Sequence, residues 1–358
     1  MLRIGVAGIG NISKIYLDNL TCMFGKKVKL TGVTDVVFNR AEKAAAEYKV
    51  KEFKTLNEML NSDNVDMVLN ITPPMFHYEV AIASVKAGKH IYNEKPICTK
   101  REDAEELFKT AEEKGVRVGG APDTFLGSGI QTCRKLLDDG WIGTPIAATA
   151  FIMNRGPEHW HPAPDYFYKD GAGPLFDLGP YYLTALICLL GPVSRVCGSA
   201  RISVPERIIT NQSNYGKKIT VEVPTHIAGV LDFKNGAVGT IITSFDVYSH
   251  SLPFIEIYGT EGTLKVPDPN TFGGPVFVKR FREEEWSKVP LLKSFPDNSR
   301  GLGITEMATA IEAGRPHLAS GELTFHVLDI MHSIQEASAK SRYSKIKSRC
   351  KRPEALVF

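Results

Sequence analysis

The sequence predicts an α/β protein: a doubly wound parallel sheet over the N-terminal third, then an α+β domain built on a mostly antiparallel sheet. Three observations carry this. Strand and helix patterns alternate from Ile4 to Gly119. The first strand runs directly into glycines that open a helix. Past Ala121 the alternation gives way to successive strand-like runs, two of them joined by the hairpin signal Asn235-Gly236. At 358 residues the chain has room for two cores, read here as domains 1–121 and 122–358.

In the first domain the apolar run Ile4–Ala7 leads into Gly8-Ile9-Gly10, and a helical pattern starts at Asn11. Gly8 is free to adopt backbone angles closed to other residues, and Gly10 has no side chain to hold a ligand away. The N–H groups of the first turn, at Asn11 and Ile12, then face an anion, for which a dinucleotide pyrophosphate is the natural choice. Ser13 replaces the third glycine of the Rossmann pattern and is small enough for close helix–strand packing. The second strand ends on Asp35, whose carboxylate suits an adenine-ribose 2′-hydroxyl and repels a 2′-phosphate. That reading selects NAD, with NADP left open by nearby Arg40; the alternative is an Asp that merely terminates a strand in a turn. Helices follow at residues 40–48 and 56–60. The buried strand 65–71 closes in Thr72-Pro73-Pro74, and a helix, 75–87, carries His77 near its start. His77 either lines the cofactor cleft or caps that helix. The strand His90–Asn93 is followed at once by Glu94-Lys95-Pro96, then by a helix, 100–114, and a strand, 116–119. Ligands of such sheets bind at the carboxyl ends of the strands, so one crevice collects Gly8, Asp35, Thr72, Pro73, Glu94 and Lys95.

The second domain opens with a helix over 125–139, a strand over 146–153 and an aromatic loop, Pro157 to Tyr168. Aromatic faces, imidazoles and carboxylates together suit a sugar, which has C–H surfaces to stack and hydroxyls to bond. Trp160 and His161 are the substrate-site candidates there, against the alternative of a proline-braced packing loop. His159, His161 and Asp165 have a poor spacing for metal ligands, and no metal is expected. An apolar helix over 178–190 follows Asp177, which is either its N-cap or a functional carboxylate. Residues four apart share a helix face, so Asp177 and Tyr181 can address one substrate together. Strand-like runs 225–233, 237–245 and 254–259 come next, and helices at 303–313 and 322–338 close the chain.

Composition excludes several classes. Lys and Arg number 43 against 40 Asp and Glu, and no basic run dominates, so neither nucleic acid nor an anionic membrane is expected as partner. The six cysteines show no paired spacing, as suits reduced thiols. The first strand begins almost at Met1, and the longest apolar run, residues 181–190, is too short for a bilayer. A cytoplasmic location is expected.

The ordered set Gly8-Ile9-Gly10-Asn11-Ile12-Ser13, Asp35, Thr72-Pro73-Pro74-x-x-His77, Ala87-Gly88-Lys89-His90, Glu94-Lys95-Pro96, Gly171-Ala172-Gly173-Pro174-Leu175-Phe176-Asp177 and Gly314-Arg315-Pro316 resembles the Gfo/Idh/MocA oxidoreductases. The resemblance spans essentially the whole chain. It implies an N-terminal Rossmann domain and a C-terminal domain whose large, open sheet forms a homo-oligomer, a dimer or a tetramer. It also implies NAD(P)-dependent hydride transfer on a sugar or polyol. Lys95 is then the acid–base residue: Pro96 steers it away from helical angles, and partial burial beside a cationic ring lowers its pKa. A surface lysine in a turn is the plainer alternative. Where many members carry Asp and His four apart, this chain has Asp177 and Tyr181, which looks like the glucose–fructose oxidoreductase and dihydrodiol dehydrogenase branch. In that branch the tyrosine shares the acid–base work. Asp123-Thr124 stands where many relatives have an Asn-Arg-like pair, which implies a less cationic crevice wall. Two rival activities belong to the same resemblance. One is a hydrolase or lyase that uses transient oxidation by a retained NAD, and the other is a non-catalytic sugar sensor.

Overall fold

The computed structural model describes residues 1–356. The chain forms two compact units, residues 1–126 with 298–328 and residues 127–297 with the chain from 329 onward.

The first unit is built on six parallel strands: β1 (Arg3–Ala7), β2 (Lys29–Thr34), β3 (Lys51–Glu52), β4 (Met67–Asn70), β5 (His90–Asn93) and β6 (Val118–Gly120). Their order, β3-β2-β1-β4-β5-β6, is the doubly wound arrangement the alternation predicts. All four residues of β4 are buried, as in a strand covered by helices on both faces. The helices are α1 (Ser13–Asp18), α2 (Phe38–Tyr48), α3 (Leu56–Leu60), α4 (His77–Lys86) and α5 (Arg101–Lys114). α5 shows how plainly some ends are written. Glu102 and Asp103 occupy its first turn, Lys114 its last, and Gly115 at φ 64° stops it. The single helix expected from Asn11 to Phe24 differs. α1 starts at Ser13, leaving Asn11 in the preceding turn, and gives way to a π-helical turn, Asn19–Met23. In that turn buried Asn19 donates to the carbonyls of Asn298 (2.9 Å) and Arg300 (2.8 Å), tertiary partners invisible in local pattern.

The second unit begins with α6 (Ser128–Asp138), β7 (Pro145–Met153), α7 (Pro174–Leu190) and β8 (Val193–Arg201). A short ribbon, β9 (Glu206–Ile208) with β10 (Lys218–Thr220), precedes β11 (His226–Phe233) and β12 (Val238–Ser244). The strands β13 (Ile255–Gly259), β14 (Gly262–Val266), β15 (Val276–Arg280) and β16 (Ser287–Val289) complete the run. The nine-stranded sheet is antiparallel except where β12 runs parallel to β7. Its strands alternate: Ile227, Leu231, Phe233 and Ile241 are buried, while Ala228, Val230, Ile242 and Phe151 on the other face stay half-exposed.

α7 packs against β7, β11 and β12 and is apolar all round. Among its residues only Asp177 and Leu178 keep partial exposure. It starts four residues earlier than the apolar run suggests, because Pro174 takes the first helical position after Gly173 at φ 89°. Asp177 therefore lies inside the first turn with its N–H bonded to the carbonyl of Gly173 (2.9 Å), and it is not the N-cap.

The chain ends with α8 (Leu302–Glu312), α9 (Gly321–Ala339) and the edge strand β17 (Ser344–Lys345), which pairs with β8. Residues 298–328 return to the first unit, a return that one cut in sequence at 121/122 has no way to express. There the Gly120 N–H donates to Ala319 O (3.1 Å), and a Cβ on Gly119 would meet Met307 Sδ at 2.6 Å.

Candidate active site

The glycine turn sits where β1 leaves the sheet. Gly8, at φ 96°, donates to Thr34 O (2.9 Å), and a Cβ there would come within 2.9 Å of the Ile71–Thr72 backbone. A Cβ on Gly10 would meet nothing within 4 Å, so that side of the turn is open to a ligand. Ser13 is buried and its hydroxyl donates to Gly10 O (2.8 Å), which accounts for the small residue at the third glycine position. Asp35 joins the glycine turn to its own turn. One carboxylate oxygen accepts from the Ile9 N–H (2.6 Å), inside the glycine turn, and the other from the Val37 N–H (2.7 Å), two residues on. An ionised carboxylate offers about four acceptor positions, so two remain for a ribose hydroxyl. Val36 and Val37 beside it are exposed, giving an apolar surface next to the carboxylate. These residues fit a dinucleotide.

Two further strand ends are tied together by buried side chains. Asn70, ending β4, accepts from the Thr72 hydroxyl (2.7 Å) and donates to Asn93 Oδ1 (3.0 Å). Asn93, ending β5, donates to Ile97 O (2.9 Å). His77 is buried, with Nδ1 2.6 Å from Pro96 O and Nε2 2.8 Å from Thr72 O. Its ring thus neither caps α4 nor faces a ligand; it bridges the Thr72 turn to the Lys95 turn. Burial lowers its pKa, and the two carbonyls oppose that. Pro73 is exposed and Thr72 half-exposed beside these groups. Lys95 itself is half-buried at the end of β5. Glu94 accepts from the Tyr16 hydroxyl (2.6 Å) and from the Lys95 N–H (2.9 Å). Asn70, Asn93 and Tyr16 escape a reading based on motifs, although an Asn closing each of two apolar strands is a legible signal in retrospect.

Asp123 corrects one expectation. It does not wall a crevice: its carboxylate is buried and one oxygen accepts from the N–H groups of Gly301 (2.9 Å) and Gly303 (3.0 Å). Burial pushes its pKa up to about 6 against these two bonds. The Asp123 side chain is thus held by the returning chain.

In the second unit the aromatic loop is both packed and presented. Trp160 is 62% exposed, held edge-on to His161 and Phe167 at ring centroid distances of 5.2 and 6.5 Å. Phe167 and Tyr168 belong to a small core with Ile209, Ile219, Val221 and Phe245. Beneath the loop Arg207 bonds Glu158 (2.6 Å) and Asp246 (2.5 Å), Tyr168 donates to Glu158, and Thr225 donates to Asp246 (2.7 Å). His161 accepts from the Ala163 N–H (3.1 Å), and its carbonyl accepts from the Asn211 amide (2.7 Å). Tyr181 is buried on the Asp177 face of α7. Burial pushes the neighbouring phenol, Tyr182, far up. Among the described residues no group of three or more His, Cys, Asp or Glu could hold a metal, and no helix is long and apolar enough to cross a membrane.

The strand order, the glycine turn and the carboxylate one strand over define a dinucleotide-binding Rossmann domain. Residues 2–121 match the family model described as an oxidoreductase family with an NAD-binding Rossmann fold, and residues 130–265 match the C-terminal domain model of the same family. The chain belongs to the Gfo/Idh/MocA family. It is 26% identical over 338 residues to a myo-inositol 2-dehydrogenase of Thermotoga maritima, covering 90% of this chain and 91% of that protein. It is also 26% identical over 357 residues to a 1,5-anhydro-D-fructose reductase of Ensifer adhaerens, covering 97% and 99%. Among solved structures it shares its fold with a levoglucosan dehydrogenase in complex with NADH and L-sorbose. The TM-score is 0.82 at 19% identity, over 97% of this chain and 99% of the other.

Proposed function

We propose that this protein moves a hydride between NAD and a secondary alcohol or ketone of a sugar, a cyclic polyol or a related compound. The observation that carries the reading is the Lys95 turn. A half-buried lysine stands at a strand end of the dinucleotide-binding sheet, its turn fixed on both sides by buried carbonyl and carboxylate contacts. Bound NAD supplies the hydride acceptor, and NADH the donor. Lys95 takes the proton of the reacting hydroxyl, or returns it in reduction, as a positioned acid–base group. Tyr181 shares that proton and Asp177 orients the substrate. Trp160 and His161 contact its C–H faces and hydroxyls. Ile9, Gly10, Asp35 and the Thr72–Pro73 turn hold the dinucleotide. The sugar and polyol relatives support the substrate class. A cytoplasmic homo-oligomer formed through the open face of the nine-stranded sheet completes the proposal.

The test is absorbance at the NADH band while the protein and NAD meet a panel of sugars and polyols. A rise with one class supports the proposal. A panel flat with NAD, with NADP, and with keto-sugars plus NADH overturns it in favour of hidden redox chemistry or sensing. Lys95→Ala is expected to lower turnover by at least about 100-fold, the scale of one acid–base group. NAD affinity, read by calorimetry, stays within a few-fold. Retained turnover would remove Lys95 from the mechanism.

A further inference from the structure

We infer that Tyr16 is a positioning residue for Lys95, acting through the Glu94 carboxylate. Tyr16 lies one turn into α1, the helix that follows the glycine turn, and its side chain is fully buried. Burial and the adjacent Glu94 raise its pKa well above the ordinary phenol value, so it keeps its proton to donate. It donates to Glu94 Oε1 at 2.6 Å, within the range of a charge-assisted bond. The other oxygen of the same carboxylate accepts from the Lys95 N–H at 2.9 Å. Two hydrogen bonds thus join the dinucleotide-turn helix to the backbone of the lysine.

The far side of the turn is already closed. Pro96 O meets His77, Ile97 O accepts from Asn93, and the Glu94 N–H donates to Asn70 O at 2.8 Å. Glu94 brings the carboxylate to this frame, and it is the lysine's neighbour in sequence. Without the phenol, Oε1 is left in a partly buried place with its donor gone. An unshared carboxylate charge at the neighbouring residue favours the protonated form of a lysine. With the phenol in place that charge is shared, and Lys95 is held both in position and closer to the range where it exchanges protons. The other titratable groups that face this cluster are Tyr92 and Asp123, beside Tyr16, and His77, beside Glu94 and Lys95. The inference rests on the acid–base role proposed for Lys95.

The test reads Lys95 directly, without a substrate. Full-length protein is labelled with trace acetic anhydride across a pH series, and each lysine's acetylation is read by peptide mass spectrometry. Tyr16→Phe is expected to lower Lys95 labelling at fixed pH by about three-fold, equivalent to half a pKa unit. Lys26 and Lys27 serve as controls and stay unchanged. Glu94→Gln is expected to raise Lys95 labelling, and adding Tyr16→Phe to it changes nothing further. That sign reversal and loss of additivity are effects a merely structural phenol would not produce. Unchanged Lys95 labelling in Tyr16→Phe overturns the inference, as does an equal effect of Tyr16→Phe with and without Glu94. Should Tyr16→Phe fail to fold, Glu94→Gln alone decides: no rise in Lys95 labelling overturns the link. Turnover of Lys95→Ala reads the proposed function separately, so failure of one is distinguishable from failure of the other.

Discussion

Asp35 shows what one residue reveals and hides. Its place at the end of the second strand is enough to forecast a carboxylate beside the glycine turn, and the structure puts it there, on the Ile9 N–H. The same carboxylate also accepts from the Val37 N–H, the turn contact of the rival reading. Asp35→Ala is therefore expected to do two things. The preference for NAD over NADP falls by about tenfold or more, as for loss of one charge-assisted bond, and NAD affinity itself drops because the turn loses its brace. Isothermal titration with both dinucleotides checks this, and an unchanged ratio would end the role assigned to Asp35. His77 marks the opposite case. Its ring acts through contacts with Thr72 and Pro96, the second of them 19 positions away, and sequence spacing carries no trace of such a bridge.

Elements were legible where their ends carry chemistry. α5 announces itself through acidic and basic ends and a glycine stop, whereas α7 hides its first turn behind a glycine and a proline. Single side chains that knit elements together were not legible, and two of them make testable claims. Asp123 ties the start of α8 to the end of β6. Its carboxyl has a raised pKa in the folded protein, so the fold binds its proton more tightly than the unfolded chain does between about pH 4 and 6. Stability from this group is present below pH 4 and lost as the pH rises through 6. Asp123→Asn keeps an acceptor for Gly301 and Gly303, so it is expected to melt higher than wild type at pH 7.5. The gap amounts to roughly 3 kcal/mol and closes near pH 4. Melting temperatures across that pH range test the sign. In the second unit Arg207 holds two carboxylates that would otherwise repel beneath the aromatic loop. Arg207→Ala is expected to destabilise by about 3 kcal/mol and to expose residues 154–168 to limited proteolysis. A loop that stays uncut would show that the small aromatic core alone fixes it.

For the molecule as a whole, alternation of strand and helix foretold the parallel sheet, and the hairpin signals foretold the second one. The parallel β7–β12 contact was not foreseeable, since the two strands are about 90 residues apart and no short-range signal records their meeting. The half-exposed face of that sheet carries Ala228, Ile242 and Phe151 side by side across three strands. Apolar rows of this kind on an open sheet suit a second copy of the same surface. Ile242→Asp is expected to shift the sedimentation profile from oligomer to monomer without unfolding the chain. A profile identical to wild type would place the contact elsewhere.

The return of residues 298–328 to the first unit has a consequence for how the protein is made. During synthesis the six-stranded sheet emerges early, yet the α8 side of β6 has no cover until residues 298–328 leave the ribosome. Met307, Ala319 and the amides that meet Asp123 all arrive late. Folding strictly from the N-terminus is thus denied to this unit. The nascent sheet has to wait, incompletely covered, while residues 127–297 are translated, a window in which a chaperone has both an exposed surface and the time to hold it.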